Sequence, residues 1–288
     1  MLQVIVNGLL LGSTYALLAL GYTLVFGVMR LLTLAHGEVF MAAGLLALLL
    51  AGRTTPVWLA GIYAVVIGIS LGLATELLAF RQVGYQRPIA AAVSTIGLGI
   101  VIQDTILQVR SSATAVAIPF PVPQTDFQLG PLLISSVQVI ILLITITVMI
   151  STHLFVEKNR WGMAMRALAH DPGMVTLLGV PTRSLGALAL MLAGALAGVA
   201  SYLLALRNGS VSPLAGLELG LKGLAIMTIG GLGSLPGAMI AGVGLGLVET
   251  FASYYGLGGY QAAVPWLLLV LVLLARPEGI FQRGNRAS

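Results

Sequence analysis

The chain has 288 residues, of which 58% are apolar and only 8% charged, and its formal net charge is +5. Soluble domains carry about 25% charged residues, so most of this surface faces lipid, and the few scattered basic residues give no nucleic-acid-binding face. With no cysteine, the chain has no disulfide, thiolate or Cys-ligated metal chemistry.

The first apolar run, 3–29, precedes the first basic residue, Arg30. A cleavable signal carries its positive charge first, so the run reads as a retained helix with its amino end outside. A spanning helix needs about 20 mostly apolar residues. Further windows of this kind lie at 33–51, 56–80, 89–108, 131–155, 184–206 and 262–275. The stretch 219–252 is interrupted by GGLGSLPG at 230–237. It reads as a broken or re-entrant helix, a form tolerated only where the backbone is buried in protein or lines a cavity. The expected fold is therefore an all-α integral membrane protein of about eight membrane segments, a single transmembrane domain over 1–288.

Pro, Ser and Thr mark 109–130 as an external loop near the middle of the chain. One interruption precedes it, around ALGYTLVFGVMRLLTLAHGEVF (19–40), and one follows at 219–252. Paired interruptions in two halves point to a pathway at the membrane midplane. With the amino terminus outside, ten of the 14 lysines and arginines fall inside, against Arg53, Arg110 and Arg207 outside and Lys222 within the broken segment. That bias satisfies the positive-inside rule and puts the carboxyl terminus inside.

The inner loop 157–183 reads as two short helices. In the first, Trp161, Met165 and Leu168 share one face, with Arg160 and Arg166 elsewhere. The second has Asp171 as N-cap, Pro172 at its first position and Gly179 just past its end. Such a pair either docks in a partner's groove or rests on lipid headgroups.

Five strings then stand in order along the chain: YALLALGYTLVFGVMRLLTLAHGE (15–38), QRPIAAAVSTIGLGIVIQD (86–104), RWGMAMRALAHDPGMVTLLGV (160–180), LKGLAIMTIGGLGSLPGAMIAGVGLGLVE (221–249) and RPEGIF (276–281). Together they resemble the branched-chain amino acid (Liv-type) permease family of ABC importers, and within it the shorter of the two partner permeases. The resemblance implies a permease heterodimer in a bacterial inner membrane, two cytosolic ATPase subunits that bind ATP and Mg, and an extracytoplasmic solute-binding protein. It implies no cofactor in this chain and substrates among amino acids, amides, urea or aromatic acids. It also makes 157–183 the loop that receives the ATPase stroke, with Arg160, Trp161, Met165, Arg166, Leu168 and Asp171 as its coupling residues.

Charges inside a membrane are costly and mark function or a paired structural site. His36 and Glu38 sit two apart beside Gly37. They either line a gate or brace the helix break, and two clustered ligands do not make a metal site. Ser94 and Thr95 line a polar path or bond their own backbone. Lys222 either pairs with Glu218 at i,i+4 or attracts an incoming carboxylate. Ser234 lies in the second break as a further gate candidate. It is no nucleophile elbow, since no strand precedes it. GLELGLKG (216–223) lacks P-loop spacing, so the chain has no ATP site of its own. GxxxG pairs at Gly8/Gly12, Gly68/Gly72, Gly194/Gly198 and Gly242/Gly246 read as close helix packing. A self-sufficient cation-coupled transporter or channel, using Glu38 or Asp104, explains the spans but not the inner loop. An intramembrane protease lacks a serine partner for His36.

Overall fold

The structure, a computed structural model, describes residues 1–85, 87–122, 125–129 and 132–281. The order is α1 (Leu2–Met29), α2 (His36–Leu50), α3 (Val57–Thr75), a π turn (Glu76–Phe80), α4 (Arg81–Val83), α5 (Pro88–Arg110), β1 (Val116–Ala117), β2 (Asp126–Leu129), β3 (Leu132–Ser135), α6 (Ser136–Lys158), α7 (Arg160–His170), α8 (Pro172–Leu177), α9 (Thr182–Asn208), β4 (Ser210–Val211), α10 (Ala215–Gly230), α11 (Leu235–Tyr254) and α12 (Val264–Ala275). Among the described residues six helices are long and apolar enough to cross a membrane, and α2 and α12 are shorter apolar helices. The helices agree with the expected all-α membrane fold, and two small antiparallel ladders, β1 with β4 and β2 with β3, accompany them. They pair backbone groups of the loop 109–130 and its neighbours that would otherwise need water.

In lipid, apolar side chains gain little by leaving one hydrocarbon for another, so helices associate through close backbone packing. The chain does this twice. A Cβ added at Gly246 would lie 2.2 Å from the Gly12 Cα, and one at Gly8 2.9 Å from Leu247 Cδ2, which joins α1 to α11. A Cβ at Gly68 would lie 2.1 Å from the Gly194 carbonyl oxygen, and one at Gly198 2.2 Å from that of Ala64, which joins α3 to α9. The four GxxxG pairs of the sequence thus mate two by two. α1 and α9 form the buried centre, and α3, α5 and α6 lie at the periphery with most of their surface outward. Tyr202 of α9 ties the start of α3 by donating to the Val57 carbonyl.

The two ends of the bundle differ in charge. Arg30, Arg81, Arg87 and Arg183 surround one cavity of about 750 Å³. Lys158, Arg160 and Arg166 follow on the adjoining α6 and α7, making this the basic end. Arg283 and Arg286 lie outside the described residues. The opposite end holds the β1–β4 ladder and the amino terminus, where Gln3 Nε2 donates to the Leu133 carbonyl at 3.0 Å.

Both expected helix breaks are present. After α1, Arg30 takes φ +56° and the chain re-enters the protein through buried Leu31, Thr33 and Ala35. α2 begins only at His36, whose imidazole lies against Gly21. Gly21 is eight residues before Met29, so the break sits about 12 Å inside the bundle. The second break is a turn at 231–234, with Gly231 at φ +104° and Gly233 at φ +85°. Of the two halves on either side of it, α10 is shorter than a comfortable span and α11 is not. α10 begins at Ala215 and α11 runs to Tyr254, at 16 and 20 residues, or about 24 and 30 Å. The turn therefore reaches the basic end. There Gly27 of α1 approaches Gly233, and the tail after α12 closes over it as Ile280 N–H donates to the Ile229 carbonyl at 2.9 Å. Lys222 and Glu249, which interrupt the apolar run, pair with each other inside the bundle, and Glu218 pairs with Lys222 from a largely exposed position.

Candidate functional site

Three places carry polar chemistry. The first is a cavity of about 620 Å³ at the end opposite the basic one, walled by α1, α9, α10 and the segment 258–262. Behind its wall residues Tyr15 and Lys222, Glu249, with 0% exposure, accepts from the Tyr15 hydroxyl at 2.9 Å and lies 3.3 Å from Lys222 Nζ. Lys222 is also 3.4 Å from Glu218, whose side chain is largely exposed. The i,i+4 pair read from the sequence is present, but Lys222 is shared with a second carboxylate from α11 and with a phenol from α1. Sequence spacing links 218 to 222; nothing in it links 222 to 249 or to 15.

The second place is the first break. His36 is buried edge-on to the Tyr22 ring with centroids 4.6 Å apart. Glu38, in the first turn of α2, is 7% exposed, and its Oε2 has no hydrogen-bond partner among the described residues. A cavity of about 240 Å³ adjoins it, with Gln103, Gly99, Gly216 and Gly220 on its wall. A side chain at Gly216 would meet the Glu38 carboxylate at 2.2 Å, so the glycine makes room for it. The position favours a carboxylate because first-turn amides of a helix attract negative charge. Thr95 braces the break rather than lining a path: its Oγ1 accepts from Leu34 N–H at 3.0 Å and donates to the Ala92 carbonyl at 2.7 Å. Ser94 donates to the Ala79 carbonyl at 3.4 Å. Glu76, another buried carboxylate, accepts from Tyr85 at 2.6 Å. Burial and that carboxylate raise the Tyr85 phenol well above its ordinary value, so it remains a donor.

The third place is the inner loop, where α7 and α8 are capped as the residues dictate. Asn159 accepts from Trp161 N–H at 3.1 Å and Asp171 from Met174 N–H at 3.0 Å, while Gly179 takes φ +77°. The apolar face divides otherwise than expected. Met165 is 0% exposed and Leu168 is buried too, both inside this chain, whereas Trp161 is 51% exposed. The reason is the tight seat at Gly162, where a Cβ would lie 2.4 Å from the Phe155 and Val156 carbonyls, which presses α7 onto α6. Met165 and Arg166 then line a cavity of about 210 Å³ together with Ser234 and Pro236 of the second turn. Ser234 is the N-cap of α11, accepting from Gly237 N–H at 3.2 Å, and so sits at the basic end beside the loop rather than at mid-depth.

A bundle of apolar helices with one internal break, a charged cavity at one end and a capped helix pair at the other is a polytopic membrane protein of the permease class. Residues 4–273 match the family described as branched-chain amino acid transport system / permease component, and the chain belongs to that family. It is 34% identical over 295 residues to the high-affinity branched-chain amino acid transport system permease protein BraD of Pseudomonas aeruginosa, covering 98% of this chain and 96% of that one. It is 36% identical over 299 residues to LivH of the same description from Escherichia coli strain K12, with the same coverage. A probable LivH of Methanocaldococcus jannaschii is 27% identical over 298 residues, covering 96% and 91%. The solved PsaBC from Streptococcus pneumoniae in complex with Fab aligns at TM-score 0.47 and 13% identity over 96% of this chain and 92% of that one, too weak a likeness to bear on the fold.

Proposed function

We propose that this chain is the membrane-spanning permease subunit of an ATP-driven, binding-protein-dependent importer of branched-chain amino acids. It would pair with a second, homologous permease and work with two cytosolic ATPase subunits, which bind the ATP and Mg, and with an extracytoplasmic solute-binding protein. The carrying observation is the family match over 4–273, together with relatives named for this transport over nearly their whole length. The chain is a single permease domain in the bacterial cytoplasmic membrane. Its six long helices plus α2, α10 and α12 make nine passages, with α10 and α11 a hairpin whose turn lies at the inner face. The basic end is then inside, as the distribution of lysine and arginine requires, with the amino terminus outside and the carboxyl terminus inside.

The inner helix pair supports the coupling role by its two faces. Met165 and Leu168 anchor α7 to α6 and α1, and Trp161, with Arg160 beside it, is left for an ATPase cleft. Asp171 keeps the loop's shape as the cap of α8, and Arg166 lines the cavity next to the second turn. Because Ser234 and Pro236 share a cavity with Met165, a displaced α7 would press directly on the α10–α11 hairpin. Glu38 and His36 belong to the part of the pathway at the first break.

The test is leucine uptake into proteoliposomes holding the complete complex. Uptake is expected only with ATP and loaded binding protein. Trp161→Asp is expected to insert normally but to lose ATPase association or the response of hydrolysis to the binding protein. Uptake driven by an ion gradient without the ATPase subunits would sink this reading in favour of a cation-coupled transporter.

A further inference from the structure

We propose that the cavity of about 620 Å³ beside Tyr15 and Lys222 is a receiving site for the zwitterionic head of an amino acid, with the Arg207 guanidinium for its carboxylate and the Glu218 carboxylate for its ammonium. The inference rests on the permease reading and specifies where the substrate is first held.

The argument is one of charge. Glu249 is wholly buried, so its charge must be met by a protein cation, and Lys222 Nζ at 3.3 Å meets it. That uses Lys222 and leaves Glu218, on the cavity wall, with only a share of one ammonium at 3.4 Å. Arg207, on the same wall, has no ion-pair partner among the described residues, and Glu218 is not within ion-pair distance of it. The wall therefore presents one positive and one negative group that do not satisfy each other. A simple anion or cation would satisfy one and confront the other; a ligand bearing both signs satisfies both.

A second observation is independent of these charges. Ser201 lines the cavity at 1% exposure, and its hydroxyl has no hydrogen-bond partner among the described residues. Buried hydroxyls without partners cost free energy, and this one lies against Gly44 of α2, just behind the cavity surface. Leu11, Phe40, Leu204 and Leu219 complete an apolar wall suited to an aliphatic side chain. The volume lies within the range of small-molecule sites, about 300–1,000 Å³. The cavity opens at the end opposite the coupling helices, where a solute-binding protein would deliver its load.

The test uses the absence of cysteine from this chain. Asn208, exposed on the cavity wall, becomes Asn208→Cys in the purified full complex, and its alkylation by N-ethylmaleimide is followed by mass spectrometry. Leucine at twice its dissociation constant is expected to slow alkylation about threefold. 4-Methyl-2-oxopentanoate, which lacks the ammonium, and isoamylamine, which lacks the carboxylate, should each protect far less. Protection should vanish in Arg207→Gln and Glu218→Gln. The comparison of the three probes in Asn208→Cys alone needs no further variant, so a folding failure of either does not blunt the test. Equal protection by all three probes, or none by leucine, overturns the proposal; so does protection by the binding protein only, which would mark a docking pocket. If leucine uptake in the same complex depends on ATP and binding protein while Cys alkylation is indifferent to leucine, the site falls and the permease reading stands. If there is no such uptake, the permease reading falls and takes the site with it.

Discussion

At Glu249 the chain keeps a carboxylate out of contact with solvent, held by Tyr15 at 2.9 Å and Lys222 at 3.3 Å. Removing one member of a buried pair strands the other charge and costs about 3–5 kcal/mol, whereas replacing both with apolar groups is often neutral. Lys222→Met or Glu249→Met should therefore lower the melting temperature of the solubilised protein clearly, and the double replacement should recover most of the loss. Single variants as stable as the parent would show that the pair contributes nothing. The sequence made Lys222 legible as an intramembrane charge but paired it only with Glu218. Spacing along one helix fixes neighbours at i,i+4; contacts between helices depend on how three helices pack, and neither periodicity nor composition carries that. Thr95 shows the same limit. Its type suited a polar path, and only the fold reveals that its oxygen holds the backbone of Leu34 at the break.

The glycine pairs show how much an element can tell by itself. Each GxxxG was visible in the sequence as a close-packing face, yet which faces mate was not, because every such face looks alike. The geometry gives the expected outcome of filling them. At Gly68 a Cβ would lie 2.1 Å from the Gly194 carbonyl oxygen, a backbone atom that cannot swing aside. Gly68→Ala should destabilise by about 1–3 kcal/mol, the usual cost of overpacking. Gly244, where nothing lies within 4 Å, should tolerate alanine. Equal melting temperatures for Gly68→Ala and Gly244→Ala would refute the packing argument. In α7 the period placed Trp161, Met165 and Leu168 on one face, but it could not say that the face is split between two hosts. Met165→Asp should accordingly reduce the amount of folded protein, while Trp161→Asp should leave folding intact and weaken only the contact with an ATPase. Size-exclusion chromatography of each variant with and without the ATPase subunits separates the two. The second break was legible in GGLGSLPG, but its depth was not. Lys222 and Glu249 lower the hydropathy of the two halves, and their pairing inside the bundle lets both helices run on through them.

Across the whole molecule, orientation follows from charge, and the fold makes that argument stronger than the loop count alone. Lysine and arginine are retained on the cytoplasmic side, and here they gather in space as well as in sequence. Arg30, Arg81, Arg87 and Arg183 come from three separate junctions, α1–α2, α3–α5 and α8–α9, and still line one cavity. Arg53 and Arg110 stand apart at the other end, and Arg207 is drawn into the cavity there. The carboxyl-terminal tail after α12 returns to the turn at 231–234, at the basic end. Single cysteines in this cysteine-free chain should then label on opposite sides of sealed cells. Ala113→Cys, exposed in the loop after α5, should react with an impermeant maleimide added outside. Gln82→Cys and His170→Cys, both exposed at the basic end, should react only after the membrane is opened. Labelling of His170→Cys from outside would invert the molecule. It would put α7 and α8 where no ATPase can reach them and the cavity of Arg207 and Glu218 on the side of release, so the coupling role and the receiving site would both have to be abandoned.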